Sequence, residues 1–278
     1  MFRSRDKETA KDVNPEPEPE LTDTAVQVVP EAEVPALASM FSEDVNAGFE
    51  GMNSGDFAVA FLQILQKTSP QVDNTDDKFM PDAEQGMILN TVTKDLYDKV
   101  EVVPCFFSKV VVEWTPRNSG GGLVAHHAPG SPGATPTGTD PATGKPVNAE
   151  GNWLVDTAYY FVIVVKDGEA YPAIISMQST QLKVSRTWNS EMGQVKVQGG
   201  RAPMYSSVYS LSTQTHAKSN YTWKGWVIDR KGWVSDENLY KAAKTLCEQA
   251  KAGQIRVAAP SMDDDTTETN SKQDDVPF

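Results

Sequence analysis

The sequence has few of the residues that build disulfide frameworks, metal centres or membrane spans. Its 278 residues include two cysteines and three histidines. Cys105 lies in an apolar run and Cys247 in a helical pattern, so we expect two buried thiols in a reducing compartment. No apolar run approaches the length of a membrane-spanning helix, and the N-terminus lacks the apolar segment of a secretion signal. The expected protein is soluble and cytoplasmic.

Recognisable catalytic signatures are also missing. His126 and His127 are adjacent in a glycine- and proline-rich stretch, without a cysteine or acidic pair at a metal-binding spacing. His216 has no identifiable acid or nucleophile with which to form a triad. The glycines at 120–122 are not followed by the Lys-Ser/Thr of a phosphate-binding loop. We therefore expect a protein that is not an enzyme and uses neither a metal nor a cofactor.

Positive charge is scarce overall but concentrated locally. The chain has 25 Lys and Arg against 38 Asp and Glu, a formal net charge of −13. Residues 1–50 carry a net −8, residues 51–182 a net −7 and residues 261–278 a net −5, whereas residues 183–260 carry a net +7. A basic segment inside an acidic chain is typical of proteins that bind phosphate backbones at one surface.

Composition divides the chain into two tails and a folded segment. Residues 1–50 contain a Pro-Glu repeat at 15–20 and few apolar side chains, which predicts a disordered acidic tail. Residues 259–278 are predicted to form a second disordered acidic tail. Residues 51–258 between them are long enough for one elaborated domain. Residues 118–150, rich in Gly, Pro, Thr and Ala, are expected to form a flexible loop within it.

The first half of the folded segment predicts one helix and three strands. Apolar residues recur at helical spacing over 56–67, and Ser69-Pro70 would end that helix. β-Branched and aromatic residues then predict strands over 102–114, 153–165 and 171–178. Asp167-Gly168 between the last two is a favoured hairpin turn.

The second half predicts a helix over 180–192, strands over 204–216 and 221–229, and a final helix capped by Ser235 and ending before Gly253. We expect a mainly β (α+β) fold. From the first long strand onward the element order is that of an OB-fold, a five-stranded barrel whose open face often binds oligonucleotides, here with flanking helices. Other small barrels share this order.

Aromatic and basic residues are interleaved in the folded segment, and this combination suits single-stranded nucleic acid. Bases stack on flat rings while lysine and arginine bind the phosphates. Barrel cores also use aromatic residues, so at least half of the tyrosines and tryptophans are expected to be buried. The candidate DNA-binding residues are Phe107, Lys109, Arg117, Trp153, Lys183, Arg186, Tyr205, Tyr209, Lys218, Tyr221, Trp223 and Lys224.

The C-terminus has the form of a peptide ligand. It ends in Asp274, Asp275, Val276, Pro277 and Phe278. Phe278 can fill an apolar pocket while its carboxylate meets a basic side chain, and the aspartates favour a basic partner surface. A merely solubilising tail is the alternative. This ending resembles the acidic tip of bacterial and phage single-stranded DNA-binding proteins, which implies recruitment of replication, recombination and repair proteins. RNA polymerase is the other partner that we expect for the tip.

Parts of the body are similar to tailed-phage proteins suspected of binding single-stranded DNA. The similarity lies in residues 61–70, 102–107, 112–117 and 179–188. It implies a viral protein that acts in the host cytoplasm. The function so indicated is non-catalytic protection of single-stranded DNA during phage replication and recombination, with partner recruitment through the tip.

Two other functions stay open. A transcription cofactor could bind polymerase through the tails and touch DNA only incidentally. A nuclease could use the acidic residues Asp76, Asp77, Asp82 and Glu84, although a solvated surface is the better interpretation of that cluster. The sequence does not predict the oligomeric state.

Overall fold

The computed structural model describes residues 47–52, 58–116, 119, 121–166, 168–218, 221–255 and 257. The chain divides between Gly51 and Met52 into two units, and the fold below is that of the second unit. The predicted tail over 259–278 and most of the tail over 1–50 lie outside the described residues.

Strands dominate the described part of the chain. Two α-helices accompany them, α1 (Gln181–Gln194) and α2 (Glu237–Lys251). The strands are β1 (Ala60–Ile64), β2 (Ile88–Asn90), β3 (Leu96–Tyr97), β4 (Val100–Thr115), β5 (Gly122–His127), β6 (Gly138–Thr139), β7 (Pro146–Val147), β8 (Trp153–Lys166), β9 (Glu169–Gln178), β10 (Lys196–Val197), β11 (Gly200–Arg201), β12 (Ser207–Lys218) and β13 (Tyr221–Trp233).

Eleven of these strands form one sheet. Its main path runs β13-β12-β4-β8-β9-β1-β2-β3, with β5 paired to β4 and with β6 and β7 attached through β8. Neighbouring strands are antiparallel except β1 and β9, which are parallel. The predicted mainly β class is confirmed. The five-stranded OB-fold is not confirmed, because the sheet contains more than twice that number of strands.

The central strand β8 is buried on both faces. Tyr160 and Val162 pack into one apolar cluster, and Tyr159 and Phe161 pack into another on the opposite face. Successive side chains of a strand point to opposite faces, so a nearly continuous apolar run is required where both faces are covered. β8 also pairs with β4 and β9 along most of its length, and it therefore forms the rigid centre of the sheet.

The two helices cover opposite faces of this sheet. Trp188 of α1 lies 4.4 Å from the ring of Tyr160, centroid to centroid, and the Tyr160 hydroxyl is 2.8 Å from Ser185 Oγ. α2 contributes Ala243 and Leu246 to a separate cluster with β4 and β8. Because each helix buries a stripe against strands, the positions of both helices are fixed by the sheet.

The predicted helix over 56–67 is wrong for its central residues, which form strand β1. Leu62 pairs with Asn90 of β2 on one side and with Ile175 of β9 on the other. All five β1 residues are buried, so both faces of the segment are covered. A short apolar run of this kind has no unique period, and the pairing with two strands decides its conformation.

Three other segments differ in part from the sequence predictions. The loop predicted over 118–150 contains β5, β6 and β7, since β4 and β8 offer free edges to which short segments of backbone can pair. The strand predicted over 204–216 begins with a 3-10 turn at Met204–Ser206. The cap of the last helix is Asp236 rather than Ser235, and its carboxylate accepts a 2.6 Å hydrogen bond from Leu239 N.

A buried carboxylate on β4 connects the sheet to the segment that lies between β4 and β8 in the sequence. Glu113 of β4 accepts hydrogen bonds from Asn148 Nδ2 at 2.8 Å and Asn152 Nδ2 at 2.7 Å, and its other oxygen lies 2.6 Å from His127 Nε2. Burial raises the pKa of Glu113, but the hydrogen bonds from Asn152, His127 and Asn148 outweigh it and lower the pKa below its usual value. His127 therefore has a structural partner here.

Candidate nucleic-acid interface

Three aromatic rings form a stack at one end of the β12–β13 hairpin. The ring of Trp223 lies between His216, at a centroid distance of 5.5 Å and an interplanar angle of 18°, and Tyr221, at 6.0 Å and 26°. His216 and Trp223 are directly paired in the antiparallel ladder, which places their side chains on the same face. The hairpin thus presents an ordered series of flat rings.

Gly225 provides the space for the histidine of this stack. A Cβ atom built on Gly225 would lie 2.7 Å from His216 Nε2 and 2.9 Å from Gln181 Nε2. Both distances are shorter than real Cβ contacts, so any side chain here would displace the imidazole. The glycine thus leaves room for His216 in its observed position beside Trp223.

The side-chain amides of two glutamines hydrogen-bond to backbone groups on the outer edge of β13. Gln66 Nε2 donates to the Lys224 carbonyl at 3.0 Å, and Gln66 Oε1 accepts from Lys224 N at 2.9 Å. Gln181 Oε1 accepts from Trp226 N at 3.3 Å. β13 is the last strand of the sheet path, and these amides occupy backbone groups that would otherwise be open to pairing. They also hold β13 against α1 and the segment after β1.

Two adjoining clefts open beside the stack, and Thr180, Gln181 and Trp223 line both. The outer cleft, between α1 and the hairpin, has a volume of ≈ 450 Å³. The inner cleft lies between the hairpin, β1 and the end of β9. The other residues that line the outer cleft are Lys183, Val184, Thr187, Trp188, Glu191, His216 and Ile228. The other residues that line the inner cleft are Phe61, Leu62, Gln63, Ile64, Gln66, Ser176, Gln178, Ser179, Tyr221, Lys224 and Trp226.

Basic side chains surround the clefts. Lys183 lines the outer cleft and Lys224 the inner cleft, and one acidic residue, Glu191, is among the lining residues. Arg186 is exposed three residues after Lys183 on α1, and Lys218 is exposed in the ladder position opposite Tyr221. Residues three apart on a helix are neighbours, so Lys183 and Arg186 present two positive charges on one side of the outer cleft.

Four of the twelve predicted DNA-binding residues line the clefts, namely Lys183, Tyr221, Trp223 and Lys224. Arg186 lies next to Lys183 on α1 and Lys218 lies opposite Tyr221, but neither lines a cleft. Sequence reasoning missed His216, Gln181 and Gly225. His216 is the last residue of a predicted strand, and only the observed pairing of β12 with β13 places it opposite Trp223.

Three of the predicted stacking residues are packed against protein groups. Tyr209 is 0% exposed and meets Trp188 edge-on at 5.6 Å. Trp153 is 8% exposed, donates to Asp140 Oδ2 at 2.8 Å and has Lys145 Nζ 4.4 Å from its ring centroid. Phe107 packs on the Tyr160 ring at 5.1 Å. Burial denies a base access to Tyr209 and Trp153, and none of the three lines either cleft.

The remaining predicted residues lie elsewhere. Lys109 Nζ forms an ion pair with Asp156 Oδ1 at 3.3 Å on β4 and β8. Tyr205 packs against Tyr240 of α2 at 5.2 Å. Arg117 and the tip residues Asp274–Phe278 lie outside the described residues. Neither Lys109 nor Tyr205 lines one of the two clefts.

The described residues contain neither a metal-binding cluster nor a membrane-spanning helix. Within the described ranges, no group of three or more His, Cys, Asp or Glu side chains could hold a metal ion. Asp73 and Asp76, in the acidic stretch, accept hydrogen bonds from the backbone of Thr75 and Lys78 and thereby stabilise local turns. Of the helices described, none combines the length and the apolar composition needed to cross a membrane.

The fold and the clefts define a mainly β protein with an aromatic and basic surface at one edge of a large curled sheet. Its family is shown by sequence comparison. The family described as Pam3 phage gp34-like protein matches residues 20–256. The chain therefore belongs to this family of phage proteins. No curated protein and no solved structure matches it.

Proposed function

We propose that the protein is a non-catalytic single-stranded DNA-binding protein that protects DNA during phage replication and recombination. The observation that supports this function best is the stack of Tyr221, Trp223 and His216 beside Lys183 and Lys224. Each base that stacks on an aromatic side chain contributes about 1–3 kcal/mol, and the flat face of any base is suitable. Two stacked bases with a few phosphate contacts suffice for useful affinity with little sequence preference.

The proposed path follows the end of the hairpin and the two clefts. Tyr221 is 40% exposed and supplies the outermost ring. Gly225 and the amides of Gln66 and Gln181 fix the strand that carries the rings, so little conformational freedom is lost on binding. Lys183 lines the outer cleft and Lys224 the inner cleft, and in this proposal they neutralise phosphates. Binding then weakens steeply as salt rises, because phosphate contacts release counterions.

A paired tryptophan substitution tests this proposal. Trp223→Ala removes the central ring, and we expect the affinity for fluorescent oligo-dT to fall about tenfold or more. The matched control is Trp233→Ala on the same strand. Trp233 is 51% exposed, more than Trp223, and its ring contacts Arg230 and lines neither cleft. Equal losses in the two variants, or no binding of oligo-dT by the wild type at low salt, would contradict the proposal.

The C-terminal tip is proposed to recruit replication and recombination proteins or RNA polymerase. Its terminal carboxylate, aromatic ring and paired aspartates are the features that a basic pocket recognises. Deletion of Phe278 should abolish capture of such partners from infected-cell lysate while binding to oligo-dT persists. The transcription-cofactor alternative predicts that a chain without either tail loses its main activity, whereas the DNA-binding proposal predicts that this activity is retained.

The absence of nuclease activity is proposed as well. Single-stranded DNA incubated with the full chain and Mg²⁺ or Mn²⁺ should stay intact. Cleavage that depends on the metal, and that disappears when Asp76 and Asp77 are replaced by Asn, would support the nuclease alternative instead.

A further inference from the structure

Two buried polar atoms without partners lie along the inner cleft. Gln63 of β1 is 5% exposed, and its Nε2 is buried with no hydrogen-bond partner among the described residues. Ser176 Oγ of β9 is buried and unpartnered in the same sense. Both residues line the inner cleft. Two independent polar groups, on two strands, thus share one cleft and lack partners.

The register of the sheet places these two residues side by side. β1 and β9 are parallel, with Phe61 opposite Ile174 and Leu62 opposite Ile175, so the next pair along the strands is Gln63 and Ser176. Phe61 and Ile174 belong to the same apolar cluster, which identifies the face on which Gln63 and Ser176 lie. An amide donor and a hydroxyl are therefore neighbours on one face at the cleft.

An apolar residue would be the stabilising choice at such a position. A buried donor without an acceptor loses its hydration and gains nothing in return, and such groups are rare in folded proteins unless a ligand or water satisfies them. The inner cleft has a cavity volume of ≈ 80 Å³. A bound water needs only about 10–15 Å³ by this measure, so the space is enough for a larger flat group.

We propose that the inner cleft binds the edge of one nucleobase of single-stranded DNA. This inference rests on the proposed function and adds base-edge recognition to it. Every nucleobase presents a hydrogen-bond acceptor next to an N–H group on its pairing edge. Gln63 Nε2 donates to the acceptor, and the Ser176 hydroxyl, which can donate or accept, bonds the adjacent group. The base enters past Tyr221 and Trp223, which stack on its neighbours.

The binding energy then has a part that depends on bases and not on charge. Lys224 lines the same cleft and supplies the positive charge for the phosphate of the inserted nucleotide in this proposal. Stacking and phosphate contacts alone would not use Gln63 or Ser176. A variant that removes the amide donor should consequently weaken binding only when the DNA carries bases.

The test compares two ligands and two leucine variants of the full chain. The ligands are oligo-dT and an abasic oligonucleotide of the same length and charge. Gln63→Leu removes the donor, and the control Gln71→Leu removes a half-buried amide whose buried Oε1 has no partner among the described residues and which lines neither cleft. We expect Gln63→Leu to bind oligo-dT about three- to tenfold more weakly than the wild type does. Its affinity for the abasic strand should equal that of the wild type for the same strand. Gln71→Leu should change neither affinity.

Ser176→Ala provides a second, smaller change that keeps the strand intact, and it should also weaken binding of oligo-dT alone. Wild-type affinity for oligo-dT in both Gln63→Leu and Ser176→Ala would overturn the inference and indicate a cleft that holds only water. Equal weakening for both ligands would overturn it too, because a general loss of the surface does not require a base. Absence of binding to either ligand by the wild type would instead refute the proposed function on which the inference depends.

Discussion

Replacement of Gly225 by alanine should break the aromatic stack without removing any of its rings. The new Cβ would lie 2.7 Å from His216 Nε2, 2.8 Å from His216 Cδ2 and 2.9 Å from Gln181 Nε2. Backbone strain does not contribute, because Gly225 is not among the described glycines with positive φ. The imidazole must therefore rotate away from Trp223, and the Gln181 amide must move from its hydrogen bond to Trp226 N.

The expected magnitudes follow from these two displacements. The groups that must move are the ends of two partly buried side chains, so the unfolding free energy should change by less than about 1 kcal/mol, and each kcal/mol lowers the melting temperature of a domain of this size by about 2–4 °C. Loss of an ordered stacking surface worth ~1 kcal/mol weakens binding of oligo-dT about fivefold. Fluorescence anisotropy gives the affinity, and thermal unfolding gives the stability.

The matched control is Gly138→Ala in β6. A Cβ there would meet Val147 Cγ2 at 3.7 Å, an ordinary contact, and Gly138 also lacks a positive φ. This variant should keep both the wild-type melting temperature and the wild-type affinity. If Gly225→Ala is folded and binds oligo-dT as tightly as the wild type, the ordered stack does not contribute to binding and the reasoning fails.

Three further predictions concern other contacts. Glu113→Gln should lower the free energy of unfolding by about 1–3 kcal/mol at neutral pH. Folding lowers the pKa of Glu113 from 4.5, so its carboxylate stabilises the fold above pH 4.5 and ceases to do so as the pH falls through the folded pKa. The melting temperatures of wild type and variant should therefore converge in acid, and a difference that stays constant with pH would contradict this. Gln66→Ala should leave the Lys224 N–H without its acceptor and speed its hydrogen exchange, whereas unchanged exchange would show that Gln66 does not protect the strand. Lys224→Gln should reduce the slope of log affinity for oligo-dT against log salt by about 0.7, and an unchanged slope would remove Lys224 from the phosphate contacts.

Long strands with β-branched and aromatic residues could be predicted from the sequence. The strands around 102–114 and 153–165 are confirmed with extended ends, and the β8–β9 hairpin has Lys166 paired with Glu169 across two residues, as Asp-Gly predicts. The helix over 180–192 is confirmed as α1, although Thr180 at its N-cap makes no side-chain capping hydrogen bond within the described part of the chain. The signals for these elements are local, even where the pairing partner is distant in sequence, as it is for β4 and β8.

Features that depend on distant contacts could not be predicted. β1 is a strand because β2 and β9 lie on either side of it, and no local pattern encodes those neighbours. The wrong prediction for Tyr209 has the same cause. Its position in a basic and aromatic segment suggested that the ring is exposed, but Trp188 of α1, which is distant in sequence, packs against it. Tyr221, by contrast, is 40% exposed at the end of the hairpin, so its prediction from local sequence did not depend on distant packing.

The amide of Gln66 makes the integrity of the sheet edge depend on a residue far away in the chain. Gln66 and Lys224 are 158 positions apart, and one side chain acts toward β13 as an adjacent strand would. A Gln66→Ala variant would present the N–H and C=O of Lys224 as an open edge while keeping β1 and its pairing with β2 and β9. Open edges are templates for pairing with another copy of the same chain. The full chain without this one amide should therefore self-associate more readily than the wild type.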